Sequence, residues 1–274
     1  MFGSLIPIPW PFVPSVIIGL ALLTGGYLAA VGRWRGRFPG SRPVPRRRVA
    51  AFLLAMGTIF LALHTPIDTL SDDYLFSVHM IQHLLLTLVM PPLLLAGVPG
   101  WLIRPLLVRW PPLLRLGRAL TNPLAAYALF NVVFIGYHVP AIYNPVQASE
   151  PLHILGHLLF MATGVITWWP VLSPLRELPP LAPPLQLPYL FLQTLPSQVL
   201  GALQTFSSTL LYDHYADAPR VWGWLTPAAD QELGGLIMWV LGGTFFLGAF
   251  VAVFLRWAQL NEAAERRAVA GRIY

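Results

Sequence analysis

Seven apolar stretches, each about as long as a bilayer-crossing helix, run through this chain and leave little sequence between them. They cover 13–32, 49–65, 74–97, 123–140, 151–171, 187–211 and 233–257. A hydrocarbon core about 30 Å thick takes about 20 residues of helix, the form that satisfies its own backbone where lipid offers no partner. With 56% hydrophobic and 10% charged residues among 274, a water-soluble fold would bury seven such helices and have almost no polar faces to cover them. The expectation is an all-α integral membrane protein, one bundle of seven transmembrane helices in a single domain over 1–274.

Charge fixes the orientation. All 17 basic residues are arginine, and 16 of them fall in 33–48, 98–122, 172–186 and the tail from Arg256, with three acids. The alternate loops hold only Arg220 and eight acids, among them Asp68, Asp72, Asp73, Glu150, Asp213 and Asp230. Arginine-rich loops stay cytoplasmic, which predicts the N-terminus outside and the C-terminus in the cytoplasm of a bacterial plasma membrane. The arginine runs are then topology signals that touch anionic lipid, and no nucleic-acid partner is expected. Met1 to Ser15 has no basic region and no small-residue cleavage site, so the first stretch is expected to remain as a helix. The tail Asn261–Tyr274 is expected to prolong the last one. Proline and glycine punctuate most loops, and Pro91-Pro92 is expected to kink the third span.

All seven histidines lie at the acidic-loop end of the spans. His79 and His83 open the third span, and His153 and His157 open the fifth. Residues four apart share a helix face, so each pair can hold one ion, and two pairs at one depth can close a four-ligand site. His64, His138 and His214 sit at the same end, with Asp68 and Asp213 placed to orient an imidazole as carboxylates do behind metal ligands. Met80 and Met238 fall within a turn or two. The chain has no cysteine, which excludes disulfides and thiolate sites, and a histidine and methionine set facing an oxidising compartment favours copper. The metal candidates are His79, His83, His153, His157, His64, His138 and Met238. Bis-histidine haem ligation is the alternative. A metal transporter would want polar groups at mid-membrane, where Thr24, Thr58, Asn131 and Gln193 are few. Asp230 and Glu232 read as a helix start, Gly234-Gly235 as a close helix approach, and Trp168-Trp169-Pro170 as an interfacial aromatic belt. Motifs of hydrolases and phosphate-binding loops are missing, so no enzyme is expected.

The run Phe76-Ser77-Val78-His79-Met80-Ile81-Gln82-His83 followed by Pro91-Pro92 resembles the signature of the CtaG-type (caa3-type) cytochrome c oxidase assembly factors. His138-Val139-Pro140 with Tyr143-Asn144, His153 with His157, Trp168-Trp169-Pro170, and Asp230-Gln231 through Met238-Trp239 are similar to further blocks of that family, in the same order. The resemblance covers about residues 15–257. It implies a seven-helix membrane protein that handles copper on the extracytoplasmic face and passes it to an oxidase subunit, with His79, His83, His153 and His157 as first ligand candidates. Some members carry a fused copper-transport domain. None is seen within these 274 residues, which implies separate copper chaperones as partners beside the oxidase subunits.

Overall fold

The computed structural model describes residues 8–270, and every regular element among them is a helix. In chain order they are α1 (Pro14–Val31), α2 (Arg46–Leu63), α3 (Pro66–Asp73), α4 (Phe76–Gly97), α5 (Gly100–Arg109), α6 (Pro111–Leu120), α7 (Pro123–Tyr137), α8 (Pro140–Gln147), α9 (Glu150–Leu172), α10 (Pro183–Thr205) and α11 (Pro227–Ala270). Prolines expected to mark loops stand in the first turn of α1, α3 and α6 to α11. There the missing N–H would have had no intrahelical partner and the fixed φ suits a helix. Side-chain caps add to this: Asn122 accepts from the amides of Leu124 and Ala125, and Thr226 accepts from Ala229.

Each of the seven apolar stretches is helical. Four helices, α1, α4, α9 and α11, are long and apolar enough to cross a membrane, and two bent pairs, α2 with α3 (44°) and α6 with α7 (72°), raise the number to six. α10 has 23 residues but a more polar composition. Its Gln186, Gln193 and Gln204 are buried against the rest of the bundle, so its polarity faces protein. The α10 helix also ends at Thr205, earlier than the stretch 187–211 suggests, and a loop follows. The last helix runs past Asn261 as expected, as far as Ala270; residues 271–274 of that tail, and Met1–Pro7 of the N-terminal stretch, lie outside the described residues.

α4 is the central helix, packed on α2, α9 and α11. It carries Pro91-Pro92 without a break, because a π-helical turn at Leu85–Val89 precedes the prolines. Neither proline can donate to the Thr87 carbonyl, and the indole of Trp168 does so from α9 at 3.2 Å. Gly164 makes this approach possible, since a Cβ there would stand 3.0 Å from the Pro91 ring and 3.3 Å from the Thr87 backbone. Trp168 is therefore a buried donor inside the bundle, not the interfacial belt residue its sequence context suggests. The mid-bundle polar residues are used up in the same way: Asn131 donates to Gln193, Gln193 to Thr167 and Tyr189, and Tyr189 to the Thr167 carbonyl. Thr58 bonds its own helix at Leu54.

Replacing Trp168 with Phe should leave the Thr87 carbonyl unsatisfied and cost about 1–2 kcal/mol. The check is thermal unfolding of the purified protein in detergent, where the midpoint should fall; an unchanged midpoint would remove this bond from the account of how α4 tolerates its prolines.

Candidate metal centre

At the end of the bundle away from most arginines, three helices bring five imidazoles together. α4 supplies His79 and His83, α9 supplies His153 and His157, and His138 caps the C-terminus of α7. Neighbouring ring centroids are 4.1 Å apart for His79 and His83, 4.3 Å for His153 and His157, 5.5 Å for His79 and His153, 5.9 Å for His83 and His157, and 5.6 Å for His83 and His138. The spacing by four thus places both pairs on facing sides of α4 and α9.

All five are buried, His79 and His83 at 0% and 1% exposure. Both ring nitrogens of His79 and of His83, and Nε2 of His138, His153 and His157, lack a hydrogen-bond partner among the described residues. His138 uses Nδ1 on the Phe134 carbonyl at 2.7 Å. An unpartnered buried polar group costs about 1–3 kcal/mol, so a row of seven such nitrogens is a standing cost unless something else meets them.

Asp72, on α3, joins this group. Its carboxylate lies 3.6 Å from Nδ1 of His153, and one ligand atom each from Asp72, His79 and His153 lie within 4.8 Å of one another. Donor atoms around a tetrahedral ion at about 2.0–2.1 Å stand roughly 3.3 Å apart, inside the 4.8 Å that spans these three. Asp72 stands beyond the last apolar residue of α2.

The supports come from the rest of the fold. Gln82 donates to the Ala62 carbonyl and to Asp68 and accepts from Ser71, which pins α3, and so Asp72, to α4. Asp230 of α11, wholly buried, accepts from the amides of Phe76 at 2.7 Å and Ser77 at 3.2 Å. It caps the start of α4 from 154 residues away, while Thr226 caps its own helix, so the acid expected to open α11 instead holds the helix that bears His79 and His83. Gly234 lets the two helices meet, since a Cβ there would sit 2.4 Å from the Phe76 ring. Gly156 leaves room for the Tyr137 ring, whose buried hydroxyl also lacks a partner beside the histidines.

An aromatic lid closes this end. Tyr215 donates to the Ser71 carbonyl and bonds Tyr143 at 3.0 Å, Tyr212 donates to the His138 carbonyl, and His214 meets the Asp72 carbonyl at 2.6 Å. Arg220, the one arginine at this end in sequence, is spent on the carbonyls of Tyr215 and Ala218 within the lid.

The remaining candidates are placed elsewhere. His64 caps α2, accepts from the Val13 amide at 3.3 Å and packs on Phe12 and Phe60. Met238 is buried with Met80 in the aromatic cluster around Phe76 and Tyr212, which is a packing role for both. Asp72 is the carboxylate beside the cluster, while Asp68 accepts from Gln82 and Asp213 from Asn144. Asp72 had a readable signal, lying four residues after Asp68 on the same face of α3.

Asp230→Ala removes the only side-chain cap on α4 and should cost about 1–3 kcal/mol. Amide hydrogen exchange over 76–79 should accelerate; unchanged protection there would refute the capping role.

The family model described as cytochrome c oxidase caa3 assembly factor matches residues 25–260. Among known proteins, an uncharacterized protein of Mycobacterium bovis is 25% identical over 281 residues, covering 94% of this chain and 40% of its own length, and one of Mycobacterium tuberculosis gives the same figures. A third, from Mycobacterium leprae, is 25% identical over 92% of this chain and 40% of its own. The chain thus spans about two fifths of the length of the relatives it matches. No solved structure matches it.

Proposed function

This chain belongs to the cytochrome c oxidase caa3 assembly factor family, and from that premise we propose that it matures the oxidase by holding copper at the buried histidines and passing it to an oxidase subunit. The observation that carries the proposal is the set of seven unpartnered imidazole nitrogens on five buried rings, with Asp72 beside them. Imidazole nitrogen accepts copper, zinc, iron and nickel, and among these the copper-containing oxidase client of the family favours copper. His79, His153 and Asp72 form the first ligand group, and His83, His157 and His138 lie one ring away. Copper is cargo here, and the role is not catalytic. The clients are oxidase subunits, with separate chaperones supplying the ion.

We place the protein in the bacterial plasma membrane as seven spans, with α10 as the span whose polar residues face inward. The N-terminus and the histidines are outside, the C-terminus in the cytoplasm. This follows the arginine distribution, because cationic loops resist export. The absence of cysteine makes the topology simple to test. A single cysteine introduced at Ser208 should react with an impermeant maleimide added to whole cells, and one at Arg118 only after lysis; the reverse pattern would invert the orientation.

Purified protein should hold copper by elemental analysis. The double variant His79→Ala, His153→Ala should lose it at least a hundredfold in affinity, and oxidase activity in cells should fall while the protein stays in the membrane. His64→Ala should keep the ion. Full copper occupancy in the double variant would defeat the assignment, and an intense Soret band in the absorption spectrum would replace copper by haem.

A further inference from the structure

The lid seals the histidines from the end of the bundle, and two lateral clefts reach cluster rings: one touches His138 alone and has no acidic residue in its wall, the other touches His153 and His157 and has three. Tyr143, Tyr212 and Tyr215 are at most 1% exposed above His79 and His83, so no path runs straight down. Between α1, α2 and α9 lies a cleft of about 400 Å³. It exists because α1 leans chiefly on α2 and leaves its other face apart from α9. Most of its wall is apolar, but one strip is not: Glu150 at the start of α9, Asp68 and Asp72 on α3, then His153 and His157. The last two are 93% buried and each keeps an unpartnered Nε2.

We propose that this cleft is the route by which a copper ion reaches and leaves the buried histidines, with Glu150 the outermost ligand on the way. The inference rests on the copper reading above. A cation in an apolar cleft is costly away from compensating charge or ligands, so the ion is confined to the acidic strip and steered along it. Glu150 meets it at the rim, Asp72 and His153 take it next, and His79 and His83 receive it only through them, because neither ring reaches the cleft. The ion therefore moves between ligand sets a few ångströms apart and never crosses bare hydrocarbon.

The test fills the cleft without touching a ligand. Gly19 lines it from α1, and a Cβ at that position would meet nothing within 4 Å. Gly19→Leu and Gly19→Trp therefore enter open space at the first atom and narrow the route by degrees. Leu22→Trp, on the exposed side of the same helix, is the control. Transfer of Cu(I) from a coloured chelate to each protein in lipid nanodiscs is followed by stopped flow. Gly19→Trp should take up copper at least tenfold more slowly, Gly19→Leu by less, and Leu22→Trp at the wild-type rate, all reaching the same stoichiometry. Glu150→Gln should slow uptake severalfold with the final stoichiometry kept. Wild-type rates in both Gly19 variants, or equal slowing in the Leu22 control, overturn the route while leaving the copper reading intact. A wild-type protein that takes up no copper overturns the copper reading, and the route falls with it.

Discussion

The buried carboxylate of Asp230 ties the last long helix to the beginning of α4, and the rest of the histidine end is built from that point. A carboxylate removed from water costs several kcal/mol unless hydrogen bonds and nearby positive charge compensate it. Here two main-chain amides and the positive end of the α4 dipole do so. The helix start is thereby fixed in position and rotation, and 3.6-residue periodicity determines the rest. Gln82 faces α2 and α3 and latches both, while His79 and His83 face α9. Without a fixed start, the π turn and two prolines farther along would leave the rotation of α4 poorly determined.

Polar atoms in this molecule divide into two kinds. Where proline or burial strands a backbone or amide group, a side chain from another helix meets it: Trp168 for Thr87, Gln82 for Ala62, Gln231 for the Leu211 amide and Thr209 carbonyl. That is what a hydrocarbon surrounding requires. The exceptions are concentrated. Of fourteen buried side-chain atoms without a partner among the described residues, seven are imidazole nitrogens of five neighbouring residues, and the Tyr137 hydroxyl adjoins them. The other six are spread over five residues, whereas both nitrogens of His79 and of His83 stay open within one cluster; such a concentration marks a place held for something bound, because local rules are broken chiefly at functional sites.

Much of this was legible in the sequence. Hydrophobic length located every long helix, since lipid imposes a length that packing cannot alter. Spacing by four put His79 with His83 and His153 with His157 on facing surfaces. What the sequence hid is whatever depends on which helices are neighbours. Asp230 reads locally as the opening of its own helix, and only the tertiary arrangement aims it at Phe76 and Ser77. Trp168 reads as a belt residue because tryptophan is common at interfaces, but the carbonyl it serves belongs to another helix. His64 and Met238 share the right depth with the cluster, and depth alone does not decide azimuth: His64 faces α1, and Met238 faces the aromatic core.

The place of Met238 bears on the chemistry of the cargo. With both thioethers committed to packing, the donors facing one another are nitrogen and oxygen, and these hold an ion less selectively than sulfur does. On the copper reading this is an advantage for transfer. A factor that must give its ion away needs a site the recipient can outcompete. Ligands left unpartnered before the ion arrives return to the same unpartnered state when it leaves, so no new hydrogen bond rewards release; the ion goes only to a stronger set of donors. Five rings in one cluster, two of them lining the cleft that also carries Glu150, Asp68 and Asp72, then give the ion neighbouring positions and an acidic side on which to exchange.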